Sequence, residues 1–311
     1  MPAVEELAQL VRSAPGLRGK RDLALVARAL PHVDGDDGAL VEHRGEQLVL
    51  GAESIAPAFV ATNPDAAGAA AVVTSTADVR AMGGRPLALV DTLVSPDGEH
   101  AERALGGIAR AAGLLGVPVV GGHLTVGAQP ALSAFCTGVA RVPLRAAAAR
   151  PGDALVAAFC LDGRYLSDGP FFSSLGARTP EQLRTDGDAL VEVAELGLAH
   201  AARDVSMPGV AGSLLQLVEL ARCGATLDLA ALPRPPGTPM ERWLVTFPSF
   251  GFVLAAPPDR AAAACARFRA RGLAAAPCGS FDPGGALTLV LDGATATVWD
   301  LASEPLTGLT P

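Results

Sequence analysis

The stretch STADVRAMGGRPLALVD, residues 75–91, joins a predicted helix to a predicted strand and carries a carboxylate where none is expected. Alanine and valine are abundant over residues 66–82, so this segment is typical of a helix that is packed on most sides. Gly83 and Gly84 follow at once, as at a helix end. Asp78 lies inside the helix, and the sequence therefore raises the question of which group its side chain faces.

The burial of an ionised carboxylate such as Asp78 is costly unless a cation or several hydrogen bonds meet it. Arg80 lies two positions further on and points to another side of the helix. Two partners therefore stay open. One is a buried ion pair, for example with Arg85, and the other is a metal ion that several carboxylates share.

The composition indicates a globular chain of about two domains. Its 311 residues are half apolar and 18% charged, which argues against disorder. The net charge of −8 and the aromatic content of 4% offer neither a basic surface for phosphates nor many rings for base stacking. We therefore expect no nucleic-acid partner.

The cysteines and the apolar runs predict a cytoplasmic protein. The five cysteines include no C-x-x-C pair, and their odd number suits reduced thiols. Glu5 and Glu6 interrupt an N-terminal segment that lacks the apolar core of a secretory signal. Charges, proline or glycine interrupt every apolar run before about 18 residues, so no membrane span is expected.

Hydrophobic periodicity predicts a two-domain α/β (α+β) protein, with domains at residues 1–149 and 150–311. The stretch PLRAAAARPGD, residues 143–153, resembles a hinge between them. The predicted helices cover residues 3–30, 64–82, 99–115, 181–201, 209–223 and 259–272. The predicted strands lie on both sides of Gly45 and at residues 86–95, 117–126, 131–142, 153–160, 225–229 and 250–256, with closing strands after them.

Four short stretches could together bind a metal ion. They are GDDGA at residues 35–39, ADVRAMGG at 77–84 and GGHLT at 121–125, each expected at the edge of an element, and ARDVSMPG at 202–209, which precedes a predicted helix. Glu53, at the end of a predicted strand, adds another carboxylate. Carboxylates repel phosphates directly but can bind them through Mg²⁺, which prefers oxygen ligands. The structural alternatives are a simple turn at GDDG and a hydrogen-bonding role for His123.

In this order, the four stretches resemble the AIR synthase (PurM)-like superfamily, which includes selenophosphate synthetase and thiamine-monophosphate kinase. The resemblance covers about residues 30–256. It implies an N-terminal mixed-sheet domain that forms a dimer, a C-terminal α+β domain, and ATP bound between the domains with Mg²⁺. It also implies a small-molecule substrate. The strands in QLVLGAES and ALSAFCTGVARV offer edges for a homodimer.

The resemblance assigns roles to individual residues by motif. The metal ligands would be Asp36, Asp37, Glu53 and Asp78. The cofactor-binding residues would be Gly35, Gly83, Gly84, Gly121, Gly122 and His123. The catalytic residues would be Asp37, Asp204 and Ser206.

Departures from the known branches leave the reaction open. No cysteine precedes Cys136, and the second-domain motif reads DVSMPGV rather than the DVSDGL of thiamine-monophosphate kinase. The leading hypothesis is an ATP- and Mg²⁺-dependent enzyme that phosphorylates, cyclises or dehydrates a small metabolite. The alternatives are an inactive ATP-binding regulatory or scaffold subunit and an acidic binding domain without a nucleotide. Residues 162–174 are either a lid or a surface loop with core aromatics.

Overall fold

The structure is a computed structural model that describes residues 2–30, 33, 35–166 and 169–309. Its contacts divide the chain into two compact units. The five-stranded unit comprises Asp37–Val142 and Arg178–Val191. The seven-stranded unit comprises Met1–Asp36, Pro143–Ala177 and Glu192–Pro311. A domain boundary near residue 149 stays a prediction.

The described helices are α1 (Val4–Ser13), α2 (Pro15–Gly19), α3 (Ala24–Ala29), α4 (Pro57–Thr62), α5 (Pro64–Ala81), α6 (Gly98–Leu115), α7 (Pro180–Glu195), α8 (Gly209–Ala221), α9 (Met240–Trp243) and α10 (Ala261–Arg269). The strands are β1 (Ala39–His43), β2 (Glu46–Ile55), β3 (Arg85–Ser95), β4 (Val119–Val126), β5 (Ala131–Ala140), β6 (Ala154–Phe159), β7 (Arg164–Tyr165), β8 (Phe171–Ser173), β9 (Ala201–Asp204), β10 (Gly224–Asp228), β11 (Phe247–Pro248), β12 (Gly251–Ala256), β13 (Ala274–Asp282), β14 (Ala286–Leu291) and β15 (Ala294–Asp300). Within these described residues, no helix combines the length and the apolar character that a membrane crossing needs.

The five-stranded unit is one sheet with the strand order β1-β2-β5-β3-β4. Neighbouring strands are antiparallel except β3 and β4, which are parallel and connected through α6. Helices α5 and α6 pack on each other and cover one face of the sheet. Along β3 the side chains alternate as the pleat requires, with Leu89, Asp91 and Leu93 buried and Val90 and Thr92 exposed.

Helix α5 is buried along most of its length, as its composition predicts. It ends in a hydrogen-bonding pattern that glycine favours. The backbone amide of Gly83 donates to the carbonyl of Arg80, and that of Gly84 donates to the carbonyl of Val79, both at 2.9 Å. Gly83 has a φ of 74°, which side chains disfavour, so the predicted glycine stop is confirmed.

The seven-stranded unit contains a mixed sheet with the order β15-β14-β10-β13-β6-β12-β9. Helix α8 is buried almost all round in this unit, and α1 packs on the edge strand β15. A second sheet has the order β11-β8-β7. Its residues include Phe172, which is buried against Trp243 with ring centroids 5.8 Å apart.

The segment 162–174 therefore contributes aromatic side chains to the core, as the second of its two interpretations, a loop with core aromatics, predicts. Besides Phe172, Tyr165 donates or accepts a hydrogen bond with Thr246 at 2.7 Å. The guanidinium of Arg242 lies 3.6 Å from the centroid of the Tyr165 ring. Ser167 and Asp168 of the same segment lie outside the described residues.

Three sequence predictions about individual elements are wrong. The strands of QLVLGAES and ALSAFCTGVARV, β2 and β5, are interior to their sheet, and its edges are β1 and β4. The helix predicted over residues 181–201 ends at Glu195, and the unpredicted strand β9 follows. The GGHLT stretch lies within β4 rather than at the edge of an element.

Candidate functional site

Asp78 is a buried polar residue of α5 whose side chain the helix itself does not satisfy. The hydroxyl of Ser75 donates to the carbonyl of Ala71 at 2.7 Å, and that of Thr76 donates to the carbonyl of Val72 at 2.8 Å. Such bonds satisfy a buried hydroxyl within its own helix. An ionised carboxylate only accepts hydrogen bonds, and helix carbonyls offer no donor to it. Asp78, which is 4% exposed, must therefore face something outside α5.

A glycine in β2 sets the position of Asp78. A Cβ atom at Gly51 would lie 2.9 Å from the carbonyl oxygen of Ser75 and 3.2 Å from Cβ of Asp78. Helix α5 thus approaches β2 closely at this point. Glu53 follows two positions later on the same, helix-facing side of β2 and is half-buried.

Asp37 lies in the bend before β1 and is brought to Asp78. A carboxylate oxygen of Asp37 lies within 4.8 Å of a carboxylate oxygen of Asp78. The neighbouring Gly38 is buried, and a Cβ atom there would lie 2.9 Å from Val49 and 3.2 Å from Met82. The GDDGA stretch therefore forms a bend that also packs against the core. This packing brings the side chain of Asp37 close to the end of α5.

The first two residues of this stretch, Gly35 and Asp36, belong to the seven-stranded unit. Oδ2 of Asp36 accepts a hydrogen bond of 2.8 Å from the backbone amide of Ala146. Gly35 has a φ of 76°, and a Cβ atom there would lie 2.7 Å from Leu309. In the described part of the chain, no candidate metal cluster includes Asp36, Glu53 or His123. Their roles as ligands stay predictions.

Asp204 and Ser206 mark the start of α8 in the seven-stranded unit. Asp204 ends β9 opposite Phe252 and is 4% exposed. The backbone amide of Ser206 donates to the hydroxyl of Ser213 at 3.1 Å. Strand β9 thus positions the buried carboxylate of Asp204 beside the turn that begins α8. The catalytic roles of Asp204 and Ser206 stay predictions.

The glycine pair of β4 lies on the sheet edge. Gly121, Gly122 and His123 are exposed and pair with Val90, Asp91 and Thr92 of β3. His123 therefore lies on the sheet face that α5 and α6 leave uncovered, whereas Gly122 shares the other face with Asp91. Nucleotide contacts of this glycine pair, and of Gly83 and Gly84, stay predictions.

Sequence reasoning missed two buried charged residues in the opening stretch. Asp91 is 7% exposed, and burial raises its pKa above the ordinary range. Arg80 is buried, its pKa is lowered by burial, and its Nε has no hydrogen-bond partner among the described residues. Period-2 alternation along β3 could have placed Asp91 on the covered face.

Arg80 is accommodated by a glycine of α7. A Cβ atom at Gly187 would lie 2.4 Å from Cζ of Arg80. Asp186 and Asp188 flank that glycine and partly oppose the fall in the pKa of Arg80. Asp186 also forms a buried ion pair with Arg178 at 2.8 Å, and Asp188 pairs with Arg85 at 3.0 Å. Arg85, the alternative partner that the sequence offered for Asp78, thus binds another carboxylate.

The cysteines lack the properties of reactive thiols. All five are buried and free of disulfides. Burial raises the pKa of Cys136 to about 12, that of Cys278 to about 12 and that of Cys223 to about 11. Thiols with raised pKa values and no access to solvent are poor nucleophiles.

The amino-acid sequence of the chain is similar to those of known proteins. Residues 35–140 match the family model for AIR synthase related protein, N-terminal domain, and residues 164–292 match that for AIR synthase related protein, C-terminal domain. An uncharacterized protein of Synechocystis sp. is 36% identical over 278 residues, covering 89% of this chain and 86% of that protein. Selenide, water dikinase of Myxococcus xanthus is 29% identical over 249 residues, covering 73% of this chain and 70% of that enzyme.

Two solved structures show the same fold. T. maritima PurL complexed with ATP has a TM-score of 0.74 at 22% identity, over 87% of this chain and 46% of PurL. The chain therefore spans about half of PurL. AaThiL complexed with AMPPCP and TMP has a TM-score of 0.68 at 20% identity, over 88% of this chain and 95% of AaThiL.

Proposed function

Because the chain belongs to the AIR synthase related family, we propose that it is an ATP- and Mg²⁺-dependent enzyme that transfers a phosphoryl group to a small metabolite. Relatives within the superfamily include an ATP-using dikinase, and T. maritima PurL and AaThiL have been solved with ATP, ADP or AMPPCP. These relatives support ATP as the cofactor. The metal ion, the reaction and the substrate are our proposal.

The observation that carries the proposal is the pair of carboxylates on Asp37 and Asp78. Their oxygens lie within 4.8 Å of one another, and one of the two side chains is almost fully buried. Two carboxylates at this separation fit a single Mg²⁺ ion with at most a small side-chain adjustment. A bound cation would also offset the cost of burying Asp78. The donor set, all oxygen, suits Mg²⁺ better than zinc.

In this proposal Asp37 and Asp78 hold the metal ion, with Asp78 positioned by α5 and Asp37 by the bend before β1. Mg²⁺, when bound, neutralises the negative charge of the ATP phosphates. Asp36 and Glu53 are further candidate ligands. Gly35, Gly83, Gly84, Gly121, Gly122 and His123 are candidate nucleotide contacts on the strength of the family motifs.

The acceptor is a group on the substrate, because the described chain offers no activated thiol. The five cysteines are buried, and burial raises the pKa of Cys136 to about 12. Phosphoryl transfer needs mainly alignment and charge neutralisation, so no covalent nucleophile is required. Asp204 and Ser206 would position the substrate or accept its proton.

A homodimer formed by the five-stranded unit is part of the proposal. Leu50, Val90 and Phe135 lie on neighbouring strands of the uncovered sheet face and are each at least 40% exposed. The edge strands β1 and β4 carry further exposed apolar side chains, among them Val41 and Val120. An apolar sheet face of this kind usually packs on another surface.

Measurement of ATP hydrolysis and phosphoryl transfer over a panel of small metabolites tests the proposal. We expect a substrate-dependent turnover that Asp37→Ala lowers by about a hundredfold or more, a loss of about 2.7 kcal/mol of transition-state stabilisation. If wild type and Asp37→Ala bind Mg-ATP with the same affinity and neither protein turns over any substrate, the chain is instead the inactive ATP-binding subunit. The absence of any Mg-ATP binding would exclude both.

A further inference from the structure

A surface cavity that is open to solvent lies in the five-stranded unit between α6 and the edge strand β4. Its volume is about 600 Å³, within the range of small-molecule sites. Leu105, Ile108, Ala109, Val117 and Val119 contribute to its apolar walls. The family motifs contribute none of these residues, and neither Asp37 nor Asp78 lines the cavity.

Asp91 is the titratable residue among those that line this cavity. It is 7% exposed and stands on the helix-covered face of β3. Gly122 of β4 makes room for its side chain, since a Cβ atom there would lie 2.4 Å from Oδ1 of Asp91. Burial raises the pKa of Asp91, and a hydrogen bond with its own backbone partly opposes this rise. No basic side chain of the described residues contributes to that pKa.

A carboxylate at the wall of an apolar cavity is costly unless something compensates its charge. A single carboxylate is a poor metal site, because Mg²⁺ and Ca²⁺ need several oxygen ligands. An organic cation matches both features, since its charged group binds the carboxylate and its carbon skeleton fills the apolar space. Arg184 donates to the carbonyl of Gly113, which also lines the cavity, at 2.9 Å. The positive charge of Arg184 disfavours a ligand that would place a second cationic group near Gly113.

We propose that the cavity between α6 and β4 binds a small organic monocation, a protonated amine on an apolar body, with its ammonium group on Asp91. The ammonium N–H groups donate to the Asp91 carboxylate. The apolar body lies against Leu105, Ile108 and Val119. Asp37 and Asp78 lie outside this cavity, whereas Gly122, a candidate nucleotide contact, borders Asp91. The inference rests on Asp91 and the apolar walls and does not use the proposed ATP chemistry.

Titration of the full chain with benzylamine at pH 7.5, followed by calorimetry or NMR, tests this site. Benzyl alcohol is the neutral probe of matched size. We expect saturable benzylamine binding in the millimolar range or tighter, and binding of benzyl alcohol at least about tenfold weaker. Asp91→Asn keeps the shape of the side chain and should weaken benzylamine binding by about tenfold or more.

Two substitutions in α6 test the location. Ala109 is exposed and lines the cavity, so the larger side chain in Ala109→Leu should obstruct the apolar body of the ligand and weaken benzylamine binding by about tenfold or more. Gly106→Leu is the matched control, because Gly106 is exposed outside the lining and its Cβ would meet no atom within 4 Å. Binding in that control should stay within about twofold.

The inference is overturned if benzylamine does not bind, if benzyl alcohol binds equally well, or if Asp91→Asn leaves benzylamine affinity unchanged. If Asp91→Asn does not fold, equal benzylamine affinity in Ala109→Leu and Gly106→Leu overturns it instead. Mg-ATP titration of the same proteins reports on the separate site at Asp37 and Asp78.

Discussion

Asp78→Asn changes the charge of the proposed metal site with almost no change in shape. Two unit negative charges at most 4.8 Å apart repel by about 3.5 kcal/mol or more at an effective dielectric constant of about 20. Asp37 is half-buried, and solvent screening at its side should reduce this by about half. We therefore expect Asp78→Asn, without metal, to be more stable by about 1–2 kcal/mol, a rise of a few degrees in Tm.

The same substitution should weaken the binding of Mg-ATP. It removes one anionic ligand, and a net loss of about 1.4 kcal/mol corresponds to a tenfold higher Kd. Thermal unfolding in EDTA gives the first quantity, and isothermal titration with Mg-ATP gives the second. The metal assignment thus predicts opposite signs for the two effects of one substitution.

Asp65→Asn is the matched control on the same helix. Asp65 lies in the first turn of α5 and pairs with Arg110 at 2.7 Å, with both side chains about half exposed. The loss of such a pair costs at most about 1 kcal/mol and should leave Mg-ATP affinity unchanged. Equal Mg-ATP affinity in wild type and folded Asp78→Asn would refute the metal assignment. A lower Tm of Asp78→Asn in EDTA would show that a protein group, rather than a metal ion, compensates the carboxylate.

Three further outcomes are expected. Light scattering at micromolar concentration should give about twice the chain mass of 31.4 kDa, and Phe135→Glu on the uncovered sheet face should give a monomer; a monomeric wild type would contradict the dimer proposal. Replacement of all five buried cysteines by Ala or Ser should leave turnover within about tenfold, and a folded variant that binds Mg-ATP without activity would point to thiol chemistry. Because burial raises the folded-state pKa of Asp91, the fold favours the protonated carboxyl, and this contribution is lost as pH rises through that pKa. Asp91→Asn should therefore gain stability relative to wild type between pH 4 and pH 8 in urea unfolding, and a constant difference would contradict the burial of this charge.

The sequence predicts the fold where local signals agree with packing. Helix α5 begins at Pro64 and ends within one residue of the predicted range, because proline opens it and Gly83 stops it. The two-domain α+β fold of the AIR synthase (PurM)-like type is confirmed. The order of the four motifs in the sequence identified the family that the family models confirm.

Strand order could not be predicted from the same signals. The alternation in β2 and β5 specifies two faces of a strand and does not specify its neighbours. In the structure both strands are interior, although the same alternation would also fit an edge strand. Strand β9 has only four residues between α7 and α8, and its alanines suit a helix as well as a strand, so tertiary pairing with β12 decides its conformation.

The opening stretch contains two buried carboxylates, and only Asp78 was recognised from the sequence. Asp78 is conspicuous in the sequence because most of its neighbours in the helix are small or apolar, and Arg80 lies on another side of the helix. Residues of β3 alternate between the two faces of the sheet. From the sequence alone Asp91 could lie on the exposed face, until the register of the strand is known. Once Leu89 and Leu93 are buried, the period of two places Asp91 on their side of the sheet. The two acids then differ in their surroundings: Asp78 has a second carboxylate within 4.8 Å and suits a divalent cation, whereas Asp91 has apolar walls and suits an organic one.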